Sequence, residues 1–382
     1  MFTIEMLPAS LGDSLWIEYG EPDRPHRILI DGGVVGTADA IRAKIDAVAA
    51  TEAGTCKLDL MVVTHIDGDH IEGMIKLLGQ RDLPLEVGDL WYNGRDHLLP
   101  PEGQDRDDFL SAKQGEFMST LIGLRGYAWN QAFDGGTVVV PTDPAKRLPT
   151  RELEGGMKLT LVSPRVEDLA DLAEDWDGAL EEAGIDRDDE EAILKALRDS
   201  RTAPDDEFLS APVTDVNELV KTKPGRDGSS ANGASIAFVA EFGGASVLLT
   251  GDALTKVLAD GVGRLIAERR VKRLPLTALK VPHHGSKNNL SVDLLRQLDT
   301  RRYLVSTDGS RFKHPDRPAV AWMVAGDQRA GDATPVDLYF NYRRDPNGFW
   351  DDDALRSKWN YRTHFPPGEE GGLVVDLAGA SG

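Results

Sequence analysis

The 382-residue sequence predicts a mixed α/β protein, on three observations. Short apolar, β-branched runs of strand length recur along both halves. Each half opens as a strand meander and then passes into strand and helix alternation, the pattern of sheets covered by helices. Histidine and aspartate side chains gather on the loops that follow several of these strands.

Taken in order, residues 2–7 (FTIEML), 14–20 (SLWIEYG) and 26–33 (HRILIDGG) read as three strands, with Gly12-Asp13 a turn signal between the first two. Residues 37–51 carry apolar side chains at helical spacing, and 58–64 (LDLMVVT) is a buried-strand run. A helix over 71–79 and a strand over 87–94 follow, while 95–135 is polar and gives no assignment. Strands resume at 136–141 (GTVVVP) and 157–164 (MKLTLVSP). Residues 166–184 and 188–200 are acidic helical stretches, and the Pro, Gly, Asp and Ser of 202–215 and 221–233 mark loops, so 165–231 reads as an insertion ending in a mobile loop within one domain spanning 1–382. Residues 234–242 and 245–252 form a hairpin about Gly243-Gly244, a favourable two-residue turn. Further strands at 277–286, 301–309 and 336–342 alternate with helices at 254–268 and 291–298.

With 41% hydrophobic residues the chain has the composition of a globular protein. No apolar run approaches the ~20 residues of a membrane span, and the opening MFTIEMLPASLGDSLW lacks the pattern of a secretory leader. Cys56 is the sole cysteine, so no intrachain disulfide forms and a cytoplasmic location is expected. The net charge of -21 opposes a polyanionic partner, but between Glu167 and Glu218 stand 19 acidic and 4 basic residues, a net of -15, leaving -6 elsewhere. Basic clusters at 264–273, 301–302 and 311–317 leave room for a local anion site, and the acidic segment suits a basic protein partner.

The sharpest signal is Thr64-His65-Ile66-Asp67-Gly68-Asp69-His70, where two imidazoles and two carboxylates fall within six positions after a buried strand. So dense a cluster needs cations to neutralise it, and imidazole with carboxylate suits Zn or Mn. Asp252 ends the strand ASVLLTGD, where a carboxylate can bridge two cations. His283 and His284 sit on another strand-end loop before Gly285-Ser286, and read as one ligand plus one catalytic or supporting residue.

These segments together resemble the metallo-β-lactamase superfamily, most closely the competence-type branch represented by ComEC and Rec2. The resemblance implies a four-layer αββα fold, two mixed β-sheets sandwiched between helices, and a centre of two divalent metal ions. Asp31 in LIDGG matches the aspartate that orients the metal loop. THIDGDH matches the histidine-rich motif, with Asp67 where a second histidine usually stands. By analogy His65 and Asp67 hold one metal, Asp69, His70 and His283 the other, and Asp252 bridges them. The histidine usually found ahead of the bridging aspartate's strand is missing, and Asn232 stands nearest to it as an oxygen ligand.

The resemblance further implies phosphodiester hydrolysis, nucleic acid included, by a water activated between two metals. Asp69, His284, Ser286 and Lys280 are the expected catalytic residues, and Lys287, Arg311, Lys313 and His314 the expected grip on a phosphate. The same centre supports hydrolysis of esters, lactones or phosphorylcholine-type substrates. A decayed, non-catalytic interaction protein is the remaining alternative.

Overall fold

The computed structural model describes residues 1–98, 109–183, 215–326 and 334–380. The first sheet begins as the expected meander, β1 (Phe2–Met6), β2 (Leu15–Glu21) and β3 (Arg24–Ile30), each antiparallel to the next. Helix α1 (Thr37–Thr51) crosses to β4 (Cys56–Val62), parallel to β3, and α2 (Gly68–Leu78) crosses to β5 (Leu85–Trp91), parallel to β4. The register pairs Ile17 with Ile28 and Ile28 with Leu60, while Trp16 faces Leu29 and Leu29 faces Met61. The two-residue period therefore sends the first set to one face and the second set to the other.

Helices α3 (Phe109–Arg125) and α4 (Val166–Ala183) flank two hairpin partners, β6 (Thr150–Glu152) and β7 (Lys158–Ser163). The short helices α5 (Val216–Val220) and α6 (Ser230–Gly233) precede the hairpin β8 (Ala237–Phe242) and β9 (Ala245–Leu249). The chain then alternates α7 (Thr255–Arg269), β10 (Leu274–Pro275), β11 (Ala278–Lys280), α8 (Val292–Gln297), β12 (Leu298–Asp299), β13 (Arg302–Val305), α9 (Arg317–Ala325) and β14 (Val336–Phe340). Helix α10 (Asp353–Trp359), β15 (Tyr361–His364) and β16 (Leu373–Asp376) complete the order. The first sheet runs β16-β1-β2-β3-β4-β5 and the second β15-β14-β13-β11-β9-β8-β7-β6, both mixed, with β10 and β12 a separate pair.

The core distribution makes four layers. One apolar cluster joins Ile4, Ile17, Ile28 and Leu60 of the first sheet to Leu161, Phe238, Val247 and Leu279 of the second, so the sheets pack face to face. That cluster continues into Leu258, Val262 and Leu265 of α7, Leu294 of α8 and Trp322 of α9 on the far side of the second sheet. A second cluster packs Trp16, Leu29 and Met61 against Ile41 of α1, Met74 of α2, Met118 of α3 and Trp176 of α4. This is the expected αββα sandwich. Among the described residues no helix is long and apolar enough to cross a membrane.

Two local readings change. Residues 136–141 form no strand; they make one isolated bridge, Val140 to Arg165. Asn93 satisfies Val138 instead, donating to its carbonyl at 2.9 Å and accepting its N–H at 2.9 Å, so the segment is buried without a ladder. Residues 95–135, unassigned from sequence, contain α3, whose Gly115 leaves room for the Trp176 ring of α4. Residues 166–183, placed in the expected insertion, thereby join the second core cluster through Leu169, Leu172, Ala173 and Trp176. The acidic stretch at 188–200 and the loop at 202–214 lie outside the described residues.

Candidate metal centre

The site forms where the ends of β3, β4, β9, β11 and β13 reach one rim and the two sheets meet. The Ile236 N–H, just before β8, donates to Thr64 O at 2.9 Å, and the Asp308 N–H donates to Ser10 O at 2.8 Å, joining the loops of both sheets. Asp31 organises the first sheet's share. Its backbone adopts φ +59°, a left-handed conformation tolerated by aspartate. Its buried carboxylate accepts the Thr64 N–H (2.7 Å), the Thr64 hydroxyl (2.8 Å) and His70 Nδ1 (2.9 Å). Because a carboxylate only accepts, His70 carries its proton on Nδ1 and presents Nε2 as an acceptor.

The metal loop is seated by backbone contact. A methyl group on Gly73 of α2 would lie 1.9 Å from the Gly32 carbonyl oxygen, so only glycine lets the helix approach the strand end carrying Asp31. Gly73→Ala is expected to destabilise the fold by about 2 kcal/mol and to lower metal occupancy. The backbone clash outweighs the ~1 kcal/mol that alanine contributes inside a helix. Urea denaturation alongside metal analysis checks both effects.

The ligand-type atoms converge on Asp252. Its Oδ2 lies 3.3 Å from His70 Nε2, 3.5 Å from His284 Nε2 and 3.7 Å from His283 Nε2. His284 Nε2 is also 3.2 Å from Asp69 Oδ2, and His65 Nε2 is 3.5 Å from Asp67 Oδ2. Donor atoms of His65, His70 and Asp252 lie within 4.8 Å of one another, as do those of Asp69, His70 and His284, with His70 common to both sets. The Nε2 atoms of His65, His70 and His284 and Oδ1 of Asp252 are buried without a hydrogen-bond partner. Each such orphan costs about 1–3 kcal/mol, and several facing one another fit a cation between them. Imidazole with carboxylate suits first-row divalent ions, so the residues present match a metal centre.

The electrostatics agree. Burial works to lower the basicity of His70, yet Asp252 and Asp31 outweigh it and hold the imidazole well above its usual range. Burial likewise opposes protonation of His284, but Asp252 and Asp13 push it up to about 10. Burial would raise Asp69, but the His284 imidazole beside it and the His70 charge bring it down to about 2. Asp252 is held well below the carboxylate range against burial, chiefly by His70 and His284.

Of the adjacent histidines, expected as one ligand and one supporting residue, His284 is the one fully buried between Asp69 and Asp252. Its Nδ1 donates to Ser306 O at 2.9 Å, with Asp13 Oδ1 3.3 Å away. His283 is 24% exposed and turns Nδ1 toward Asp227 at 3.4 Å. Lys280 does not reach the mouth: it is fully buried, ion-paired with Asp13 and donating to Val281 O at 3.0 Å. The Ser286 hydroxyl accepts the Asn288 N–H at 3.1 Å and so braces its own turn. Asn232 donates to Asp227 at 2.7 Å and leaves Oδ1 buried without a partner.

At the rim, His314 lies with its ring 5.5 Å from that of His283. Lys287 sits 3.7 Å from Asp316, Lys313 donates to Ser310 O at 3.2 Å, and the Arg311 guanidinium lies over the exposed Phe312 ring at 4.9 Å. Sequence reasoning missed Asp13, Asp227 and Ser306. Asp13 stood in a turn signal and Asp227 in a Gly-rich loop, so neither carried a signal of its own, and Ser306 contributes through a backbone carbonyl.

No family model matches the chain, and no curated protein matches it. Among solved structures it is similar to a point mutant of the CmlA beta-hydroxylase, at 12% identity and a TM-score of 0.35. The match covers 98% of this chain and 54% of that one, so the chain spans about half the length of that protein.

Proposed function

We propose that the chain is a metal-dependent hydrolase of the metallo-β-lactamase type that cleaves phosphodiesters, in line with the competence-type motifs. One observation carries this reading: three buried imidazole Nε2 atoms without partners surround the Asp252 carboxylate where two sheets meet. Bound divalent cations would activate water near neutral pH and stabilise charge on the attacked phosphorus. His65, His70, Asp69, Asp252 and His284 would hold them, with Asp67 beside His65.

The protein's own residues do the rest. Asp31 fixes the His70 tautomer, and Asp13 with Ser306 O fixes that of His284, so both present Nε2 to the site. Lys287, Arg311, Lys313 and His314, expected from the sequence to grip a phosphate, would serve as cationic or hydrogen-bonding groups for it. The exposed Phe312 beside them offers a flat apolar face for a base, which favours a nucleotide-bearing substrate.

The test is metal-dependent turnover of bis-nitrophenyl phosphate and of DNA and RNA oligonucleotides by metal-depleted protein reloaded with Zn or Mn. Turnover is expected with metal and a loss of about 100-fold or more in Asp69→Ala. Cleavage of small esters or lactones with no phosphodiester turnover would move the reaction to the acyl class. Fewer than one bound metal per chain would leave only a binding role.

A further inference from the structure

We propose that the cleft at the other end of the second sheet from the metal centre is a separate binding site, built for a small anion carrying two or more phosphate groups. This goes beyond the reading of the metal centre and does not depend on it.

The cleft encloses about 830 Å³, within the ~300–1,000 Å³ usual for small-molecule sites. Its walls include residues that open the strands, Ser246 of β9, Thr277 ahead of β11, Arg302 of β13 and Asp337 of β14. The metal centre gathers where these same strands finish. From Ser246 to Gly251, beside Asp252, the chain advances roughly 15 Å at about 3.3 Å per residue, so the two sites are distinct.

Charge marks the cleft out. Lys158, Arg269, Arg301, Arg302 and Arg362 line it together with the carboxylates of Glu241, Asp299 and Asp337, five cations to three anions. In a chain of net charge -21 such a local excess of positive charge draws anions to this one place. The basic runs at 264–273 and 301–302, apart in sequence, both contribute to it.

The carboxylates orient the guanidinium groups and still leave them able to bind. Arg269 donates Nη1 to Glu241 Oε1 at 2.8 Å and Nη2 to Oε2 at 2.7 Å, while Arg362 donates Nε to Asp337 Oδ1 at 2.7 Å and Nη2 to Oδ2 at 2.6 Å. Each fork engages two of a guanidinium's five N–H donors, which holds its plane still while the others can serve a ligand. Arg302 Nη1 donates to the Asp376 carbonyl at 3.0 Å, a neutral partner that takes none of its charge. Register sets these groups side by side: Arg302 pairs with Asp337, and Asp337 with Arg362, across parallel strands, so all three leave one face of the sheet. At about 4.8 Å between strands the two arginines start roughly 10 Å apart, flanking one carboxylate, a span that lets both close on adjacent phosphate groups. Arg362 is 60% exposed and open to a ligand. Guanidinium forks match paired phosphate oxygens, as a lone ammonium does not.

Isothermal titration of the full-length chain with pyrophosphate tests this in wild type, Arg302→Ala, Arg302→Lys, Arg362→Ala and Asp252→Asn, each checked for its melting temperature. Wild type is expected to bind with a dissociation constant under about 1 mM, and Asp252→Asn to keep that site. Arg302→Ala and Arg362→Ala should weaken it by about 10-fold or more, and Arg302→Lys by nearly as much, because a fork is lost and not only a charge. Arg302→Lys retains the charge, so it decides the matter even where Arg362→Ala, which takes a partner from Asp337, fails to fold. Repeating the titration with ATP separates the two sources of such a group, a nucleotide if ATP binds more tightly and an inorganic polyphosphate if pyrophosphate does. Binding retained in both alanine variants, or lost in Asp252→Asn alone, would move the anion to the metal centre and overturn the proposal. Equal binding by Arg302→Lys and wild type would reduce the cleft to diffuse charge and overturn it as well, as would no binding by wild type.

Discussion

Asp252→Asn is expected to lower phosphodiester turnover by about 10⁴-fold, or roughly 5.5 kcal/mol of transition-state stabilisation at about 1.36 kcal/mol per factor of ten. The size follows from position. Asp252 is the carboxylate toward which His70, His283 and His284 all turn, within 3.3 to 3.7 Å. Asparagine keeps the shape but removes the charge that would bind the proposed cations, so metal content should fall by at least one ion per chain. Single truncations among the histidines should cost less, with His284→Ala costing more than His283→Ala, because only His284 is fully buried between Asp69 and Asp252. Metal analysis and steady-state kinetics on the same preparations check the order. Turnover within tenfold of wild type in Asp252→Asn would mean that the centre does not drive the reaction.

Lys280→Met should produce the largest loss of stability, about 3–5 kcal/mol, because it strands a buried carboxylate. Lys280 and Asp13 are both buried and ion-paired beneath the site. Removing both charges in Asp13→Asn/Lys280→Met should recover most of the stability, since the penalty belongs to the unpaired charge rather than to the missing pair. The double variant should still bind metal more weakly, as His284 loses the charge beside its Nδ1. The pH dependence has a definite sign. Burial would raise the Asp13 carboxyl, but Lys280 and His284 hold it below its ordinary range. Its contribution is therefore complete above the unfolded value of about 3.9 and is lost as pH falls toward the lower folded value. With chelator present, the gap between wild type and Lys280→Met should stay level from about pH 8 to 5 and narrow below about pH 4. Urea denaturation across that range measures it, and a gap that widens on acidification would refute the assignment.

Much of the fold was legible because its strands carry strong local patterns. The run at 58–64 is apolar and β-branched, and it forms β4 buried on both faces, as such a run must. The Gly243-Gly244 pair joins β8 to β9, both glycines at positive φ, as a tight hairpin requires. The elements missed lack such patterns. Helix α3 carries Gly115 and several polar residues, and it holds its place through Tyr92, Trp176 and the rest of the second core cluster. β15, with the polar sequence YRTH, is a strand because β14 lies alongside it, pairing Val336 with Tyr361 and Leu338 with Thr363. Residues 136–141 show the converse, a β-branched run satisfied by an asparagine side chain in place of a neighbouring strand.

By itself the sequence determined the strongly patterned strands and helices of an α/β sandwich and which strand-end loops gather histidine and aspartate, because both are written in short-range spacing: period two for strands, about 3.6 for helices, and clustered histidine and aspartate after buried strands. Only the tertiary structure decided that His284 is buried between Asp69 and Asp252 while His283 is part-exposed, that Lys280, expected as catalytic, is buried against Asp13, and that Asp13 and Asp227 lie beside these imidazoles. The reason is that these assignments depend on side-chain direction and on contacts between residues tens to hundreds of positions apart. His283 and His284 share a left-handed turn in which one backbone step swings the ring from one partner to another. The carboxylates that hold their Nδ1 atoms arrive from other loops of the fold, at 13 and 227, where neighbouring residues carry no trace of the partner.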